Sequence, residues 1–199
     1  LLRRKGKSFE GMLCKFISSF GFMSMAFIGF CYRIEEADKL VHPFYFCLVA
    51  FGLLFGLGGD VLLGIKEIAP KYKNKLIALG TFAFLIGHFF YLASFYKAEP
   101  TFSIIPYIAA FVITAIIAII IKSVKMKLDS KMYILCVFYF FVIALCACVS
   151  GYMLYLTRSL TFIITTIASV VFVISDSVLA FVYFTPVKRK NPLVTIELA

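Results

Sequence analysis

The chain has 199 residues, 63% of them hydrophobic and only 15% charged, with a mean hydropathy of +1.02. A soluble domain of that length has no interior large enough to hide so much apolar surface, so the composition excludes a soluble enzyme or binding module and points to an all-α polytopic membrane protein. The net charge of +10 comes from short Lys and Arg clusters between apolar runs, a pattern that sets membrane orientation and argues against a nucleic-acid partner.

A spanning helix needs about 20 mostly apolar residues. Six runs meet that measure: 11–32, 43–65, 77–97, 102–122, 132–156 and 160–184. The connections are short and polar, so residues 1–199 read as one transmembrane bundle, with 185–199 a basic tail or the start of a further helix. The chain opens Leu-Leu-Arg-Arg without an initiator Met. Pro43, Pro70, Pro100 and Pro186 fall at or beyond run ends and Pro106 near the start of the fourth run, where a missing N–H costs little.

In chain order, the first run carries Lys15 near its basic end, within snorkelling reach of the interface. The second holds Asp60 in an apolar stretch with Gly52, Gly56, Gly58 and Gly59. Gly52, Gly56 and Asp60 recur at i, i+4 and i+8, a small-residue spacing that lets another backbone approach. A carboxylate inside a span costs about 2.5–3.5 kcal/mol on insertion scales, which makes it a functional candidate. The third run places His88 and Tyr91 one turn apart on one face. Such a pair serves either as an interhelical hydrogen bond or as a proton relay. The fifth has a weak polar stripe of Tyr139 and Ser150; the sixth sets Asp176 between Ser175 and Ser177. The six cysteines lie in or at the ends of apolar runs, with no CxxC, and read as small hydrophobes. No metal site, serine-hydrolase elbow or nucleotide loop is indicated, and no cofactor.

Arg3, Arg4, Lys5 and Lys7, then Lys66, Lys71, Lys73 and Lys75, then Lys122, Lys125, Lys127 and Lys131, then Lys188, Arg189 and Lys190 fall on one side of the six runs. Only Arg33, Lys39, Lys97 and Arg158 fall on the other. Both termini are therefore expected in the cytosol. On that orientation Asp60 lies roughly 7–8 Å and Asp176 roughly 12 Å inside the cytosolic ends of their helices, at 1.5 Å per residue. Two acids at shared depth suit acid-assisted cleavage through an oxocarbenium-like state. They suit proton-coupled transport equally.

Leu53-Leu-Phe-Gly-Leu-Gly-Gly-Asp60-Val-Leu-Leu, Ile86-Gly-His88-Phe-Phe-Tyr91-Leu-Ala-Ser-Phe and Val173-Ile-Ser-Asp176-Ser-Val-Leu-Ala-Phe, in that order, resemble the YhhN family of membrane proteins, whose characterised animal members are lysoplasmalogenases. Phe138-Tyr139-Phe-Phe-Val-Ile-Ala-Leu and Lys15 fit the same resemblance. It implies hydrolysis of the vinyl-ether bond of lysoplasmalogen to a fatty aldehyde and glycerophosphoethanolamine or glycerophosphocholine. It also implies Asp60, Asp176 and His88 as catalytic residues and no cofactor. Tyr91, Ser175, Tyr139 and Lys15 are the residues expected to bind substrate. The partners are then the lysolipid and the bilayer, with a homo-oligomer compatible. The membrane is that of the endoplasmic reticulum in a eukaryote, or the inner membrane in a bacterium. The family usually has about eight helices. On that count one helix is missing before residue 11, and the closing helix, with its Tyr-x-x-Ala-Gln pattern, is missing after residue 192; the chain contains no Gln. A proton-coupled small-molecule transporter and a non-catalytic lipid-binding membrane protein are the alternatives.

Overall fold

The computed structural model describes residues 43–98, 103–124, 126 and 128–185, together with Ile17, Phe20, Gly21, Met23, Ser24, Phe27, Ile28 and Cys31. Those isolated positions are helical, but the first predicted span otherwise lies outside the described residues. The rest forms α1 (Pro43–Ile68), a 3₁₀ turn (Pro70–Tyr72), α2 (Lys73–Ala98), α3 (Ile105–Ser123), α4 (Ser130–Thr157) and α5 (Leu160–Phe184). All five helices are long and apolar enough to cross a membrane, as expected of a helical integral membrane protein.

The helix ends have local causes. Pro43 opens α1, where its absent N–H is not needed. Helical bonding runs past the apolar stretch until Ala69 N–H donates to the Ile65 carbonyl at 2.9 Å, and Pro70 forces the turn. α4 stops at Arg158, which takes the left-handed conformation (φ 50°, ψ 27°) while its N–H closes on the Leu154 carbonyl at 2.8 Å. The next residue, Ser159, caps α5 by accepting the Phe162 N–H at 3.3 Å. That two-residue connection folds α5 back along α4.

The described chain divides into two compact units, with the boundary inside α2 between Phe90 and Tyr91. In the first unit α1 and the N-terminal part of α2 form an antiparallel hairpin. A Cβ added to Gly87 would sit 2.9 Å from the Gly52 carbonyl oxygen. One added to Gly80 would sit 3.3 Å from that of Gly59 and 3.1 Å from Leu63 Cγ. The backbones therefore approach through glycines seven apart on each helix, Gly52/Gly59 and Gly80/Gly87. Gly56 lends only backbone to this seam: its nitrogen would lie 3.6 Å from a Cβ on Gly87, while a Cβ on Gly56 itself would meet nothing within 4 Å. At about 100° per residue, seven residues return to within about 20° of the starting direction, while eight overshoot by about 80°. The i, i+4, i+8 stripe read from the sequence thus drifts out of the seam before it reaches Asp60. Phe51 and Phe55 stack on Phe90 along one flank, with centroids 5.4 and 5.7 Å apart.

In the second unit α4 is the central helix and packs against both α3 and α5. Its residues Phe140, Val142, Ile143, Ala144, Cys146, Val149, Ser150 and Met153 are buried around most of its circumference, as befits a helix apolar on every side. Phe95 at the end of α2 meets Phe162 edge-on at 6.3 Å, and the hydroxyls of Tyr96 and Tyr107 bond at 2.7 Å. α5 leaves Leu160, Ile163, Ile164, Ile167, Val171, Ile174 and Val178 exposed as an apolar stripe along its length. Without water to drive them together, these helices are held mainly by close packing and interhelical hydrogen bonds.

Candidate functional site

Asp60 and His88 both belong to the first unit. Each is the residue immediately after a seam glycine, Gly59 and Gly87, and so lies about 100° around its helix from the seam. Because the helices run antiparallel, both point to the same flank of the hairpin, opposite the Phe51–Phe55–Phe90 stack. Their heights differ. With Gly52 facing Gly87 and Gly59 facing Gly80, Asp60 stands level with Leu79, nine residues before His88, or roughly 13 Å along the axes. Helix side chains lean towards their own N-terminus, so in this hairpin Asp60 and His88 lean towards each other and narrow that gap. Asp60 is half-buried and His88 buried. The His88 ring is fixed within its own helix, 2.7 Å from the Phe84 carbonyl oxygen to Nδ1. A carbonyl only accepts, so Nδ1 carries the proton and donates it.

Lys66 is a feature that the sequence placed differently. The charge count put it in the connection, whereas it belongs to the last turn of α1 and is only 2% exposed. Seven residues after Gly59, it continues the seam face to the helix end.

The second unit holds the remaining polar groups. Asp176, half-buried on α5, accepts a hydrogen bond from the Tyr139 hydroxyl on α4 at Oδ2. Tyr139 is 5% exposed. A hydrogen bond to a charged group is worth about 1.5–3 kcal/mol, comparable to the cost of about 2.5–3.5 kcal/mol for a carboxylate within a span. The pair therefore removes much of the reason for Asp176 to leave the helix bundle. The serines beside Asp176 are turned elsewhere. Ser175 is exposed, and the Ser177 hydroxyl donates to the Val173 carbonyl at 2.7 Å in its own helix. Tyr91 is half-buried and its carbonyl accepts from Ser94 at 2.7 Å. Ser150, the stripe partner expected for Tyr139, is fully buried and bonds the Ala147 carbonyl at 3.0 Å. Lys15 lies outside the described residues.

The Tyr139–Asp176 pair has a signal in the sequence, though not in its motifs. Folding the chain back about the Arg158–Ser159 connection puts Tyr139 level with residue 178, half a turn from Asp176. The close approach of Gly151 to Thr166 agrees with that register, since an added Cβ would lie 3.7 Å from Thr166 Cγ2.

A carboxyl held by a hydroxyl inside a span is a group that can exchange a proton or stabilise a transient cation. The family model for the YhhN family matches residues 14–196. The chain belongs to the YhhN family. The match takes in all three acidic and histidine motifs as well as α1 to α5. No curated protein and no solved structure matches the chain.

Proposed function

We propose that this YhhN protein is an ether hydrolase of the lysoplasmalogenase type, acting on the vinyl-ether bond of a lysoplasmalogen within the bilayer. The observation that carries the reading is the Asp176 carboxylate, kept inside a membrane span by the buried Tyr139 hydroxyl, in a chain that belongs to this family. The substrate is a lysophospholipid whose sn-1 chain is joined as an enol ether. A carboxylic acid delivers its proton to the β-carbon of the double bond, and the remaining electrons settle as an oxocarbenium ion. A carboxylate faces that cation and takes a proton from water as the water oxygen bonds to the cationic carbon. The hemiacetal then loses its hydroxyl proton to the first acid. The second acid protonates the departing glycerol oxygen, giving a fatty aldehyde and the glycerophospho-alcohol with both aspartates restored. Asp60 and Asp176 are assigned to these two parts, with His88 supporting the hydrogen-bonding of the flank it shares with Asp60. The chemistry parallels two-carboxylate glycoside hydrolysis, whose transition state is likewise oxocarbenium-like.

The experiment is direct. Purified chain in nanodiscs, given lysoplasmenylethanolamine, releases long-chain aldehyde; Asp60→Asn and Asp176→Asn each abolish the release. Undiminished release from both variants removes the two-acid mechanism. Both termini are assigned to the cytosol from the Lys and Arg asymmetry, in the endoplasmic reticulum membrane of a eukaryote or the inner membrane of a bacterium. Protease digestion of intact vesicles carrying a tag behind Ala199 reads this orientation: cleavage from the cytosolic face is expected, and protection contradicts it.

A further inference from the structure

We infer that Tyr139 is a positioning residue for Asp176: its hydroxyl fixes the place and rotamer of that carboxyl for the reaction. The inference rests on the vinyl-ether hydrolase reading and gives Tyr139 a part in it other than substrate contact.

Three observations lead to it. The first is the bond itself: the Tyr139 hydroxyl donates to Asp176 Oδ2, a link between two helices that ties the carboxyl to α4. The second is the source of the donor. Ser175 and Ser177 flank Asp176 in sequence, yet Ser175 is exposed and Ser177 bonds its own helix at the Val173 carbonyl. The hydroxyl on Asp176 comes instead from another helix, thirty-seven residues away. The third is rigidity. Tyr139 sits on α4, the most enclosed of the five spans, beside the buried Phe140 and packed among residues that are themselves almost inaccessible. A phenol held in this way fixes both the position and the rotamer of the carboxylate, as a preorganised group requires. Tyr139 is thereby moved from contacting the substrate to acting through Asp176.

The test compares wild-type chain and Tyr139→Phe in nanodiscs with lysoplasmenylethanolamine, measuring kcat, KM and unfolding midpoint. A residue acting only through Asp176 lowers kcat at least tenfold with KM within twofold. 4-Fluorophenylalanine in place of Tyr139 keeps the ring and an atom at the para position but has no proton to donate; it is expected to lose kcat as Tyr139→Phe does and is the fallback if the Phe variant does not fold. Wild-type kcat in Tyr139→Phe overturns the inference, as does a raised KM with kcat intact. If the 4-fluorophenylalanine protein folds and binds but keeps wild-type kcat, that also overturns it. A wild-type chain that releases no aldehyde overturns the reaction reading and the inference with it. A wild-type chain that is active beside a fully active Tyr139→Phe overturns the inference alone.

Discussion

The glycine seam of the α1–α2 hairpin makes a quantitative prediction, because two glycines of α1 and α2 differ only in what a methyl group would meet. In Gly87→Ala the new Cβ lies 2.9 Å from the Gly52 carbonyl oxygen and 3.6 Å from the Gly56 nitrogen. These are backbone atoms that no rotamer change can move. The helices must part by a few tenths of an ångström, and forcing a methyl into a closed interface costs about 1–3 kcal/mol. Exchanging Gly for Ala in a helix returns up to about 1 kcal/mol, so the net loss is about 0–2 kcal/mol. In Gly56→Ala nothing lies within 4 Å of the added carbon, and only the helix-propensity gain remains. The gap between the two variants, about 1–3 kcal/mol, is free of the propensity term because that term is common to both. Gly59→Ala falls between them: its Cβ would lie 2.6 Å from the Phe84 ring, a side chain that can swing aside. Denaturant or thermal unfolding of the three variants in one detergent gives the order Gly56→Ala, Gly59→Ala, Gly87→Ala from most to least stable. Equal stability of Gly87→Ala and Gly56→Ala, or the reverse order, refutes the assignment of the seam to Gly52, Gly59, Gly80 and Gly87.

Two further substitutions probe the second unit. Arg158 holds a left-handed conformation at the end of α4, so Arg158→Gly removes a cost of about 1 kcal/mol and raises the unfolding midpoint; a lowered midpoint contradicts that account. Met153 on α4 is completely buried, whereas Ile164 on α5 is 61% exposed. Met153→Ala is therefore expected to lose about 2–5 kcal/mol and Ile164→Ala less than about 0.5 kcal/mol, as read by the same unfolding measurement.

Much of the architecture was legible because a bilayer imposes one strong constraint, a long apolar run for every crossing. Runs 43–65, 77–97, 102–122, 132–156 and 160–184 each fall on a helix whose ends differ by a few residues. The differences have a common cause. Hydropathy marks the hydrocarbon-like core, while backbone hydrogen bonding continues through Lys66 to Pro70 and resumes at Lys73, outside that core. The candidate residues were legible as residue types, since an aspartate in an apolar run declares itself. Their partners were not. Tyr139 and Asp176 are in different helices, and their pairing follows from the two-residue connection at Arg158–Ser159, a feature of length and register that no local pattern contains. Lys66 shows the converse: a Lys at the end of an apolar run reads as solvated, yet it lies in the last turn of α1 with its side chain buried. The short spacing of Gly52, Gly56 and Asp60 suggested one stripe, and helical drift over eight residues is enough to break it.

Protonation of a vinyl-ether carbon by acids inside the spans, as proposed for this YhhN protein, is tested by mass analysis of the aldehyde formed from lysoplasmenylethanolamine in deuterated water by wild-type chain, Asp60→Asn and Asp176→Asn. Proton delivery to carbon predicts wild-type aldehyde bearing one deuterium on the carbon next to the carbonyl, and no aldehyde above the protein-free background from either variant. Aldehyde without deuterium at that carbon, or wild-type yields from both variants, contradicts the claim.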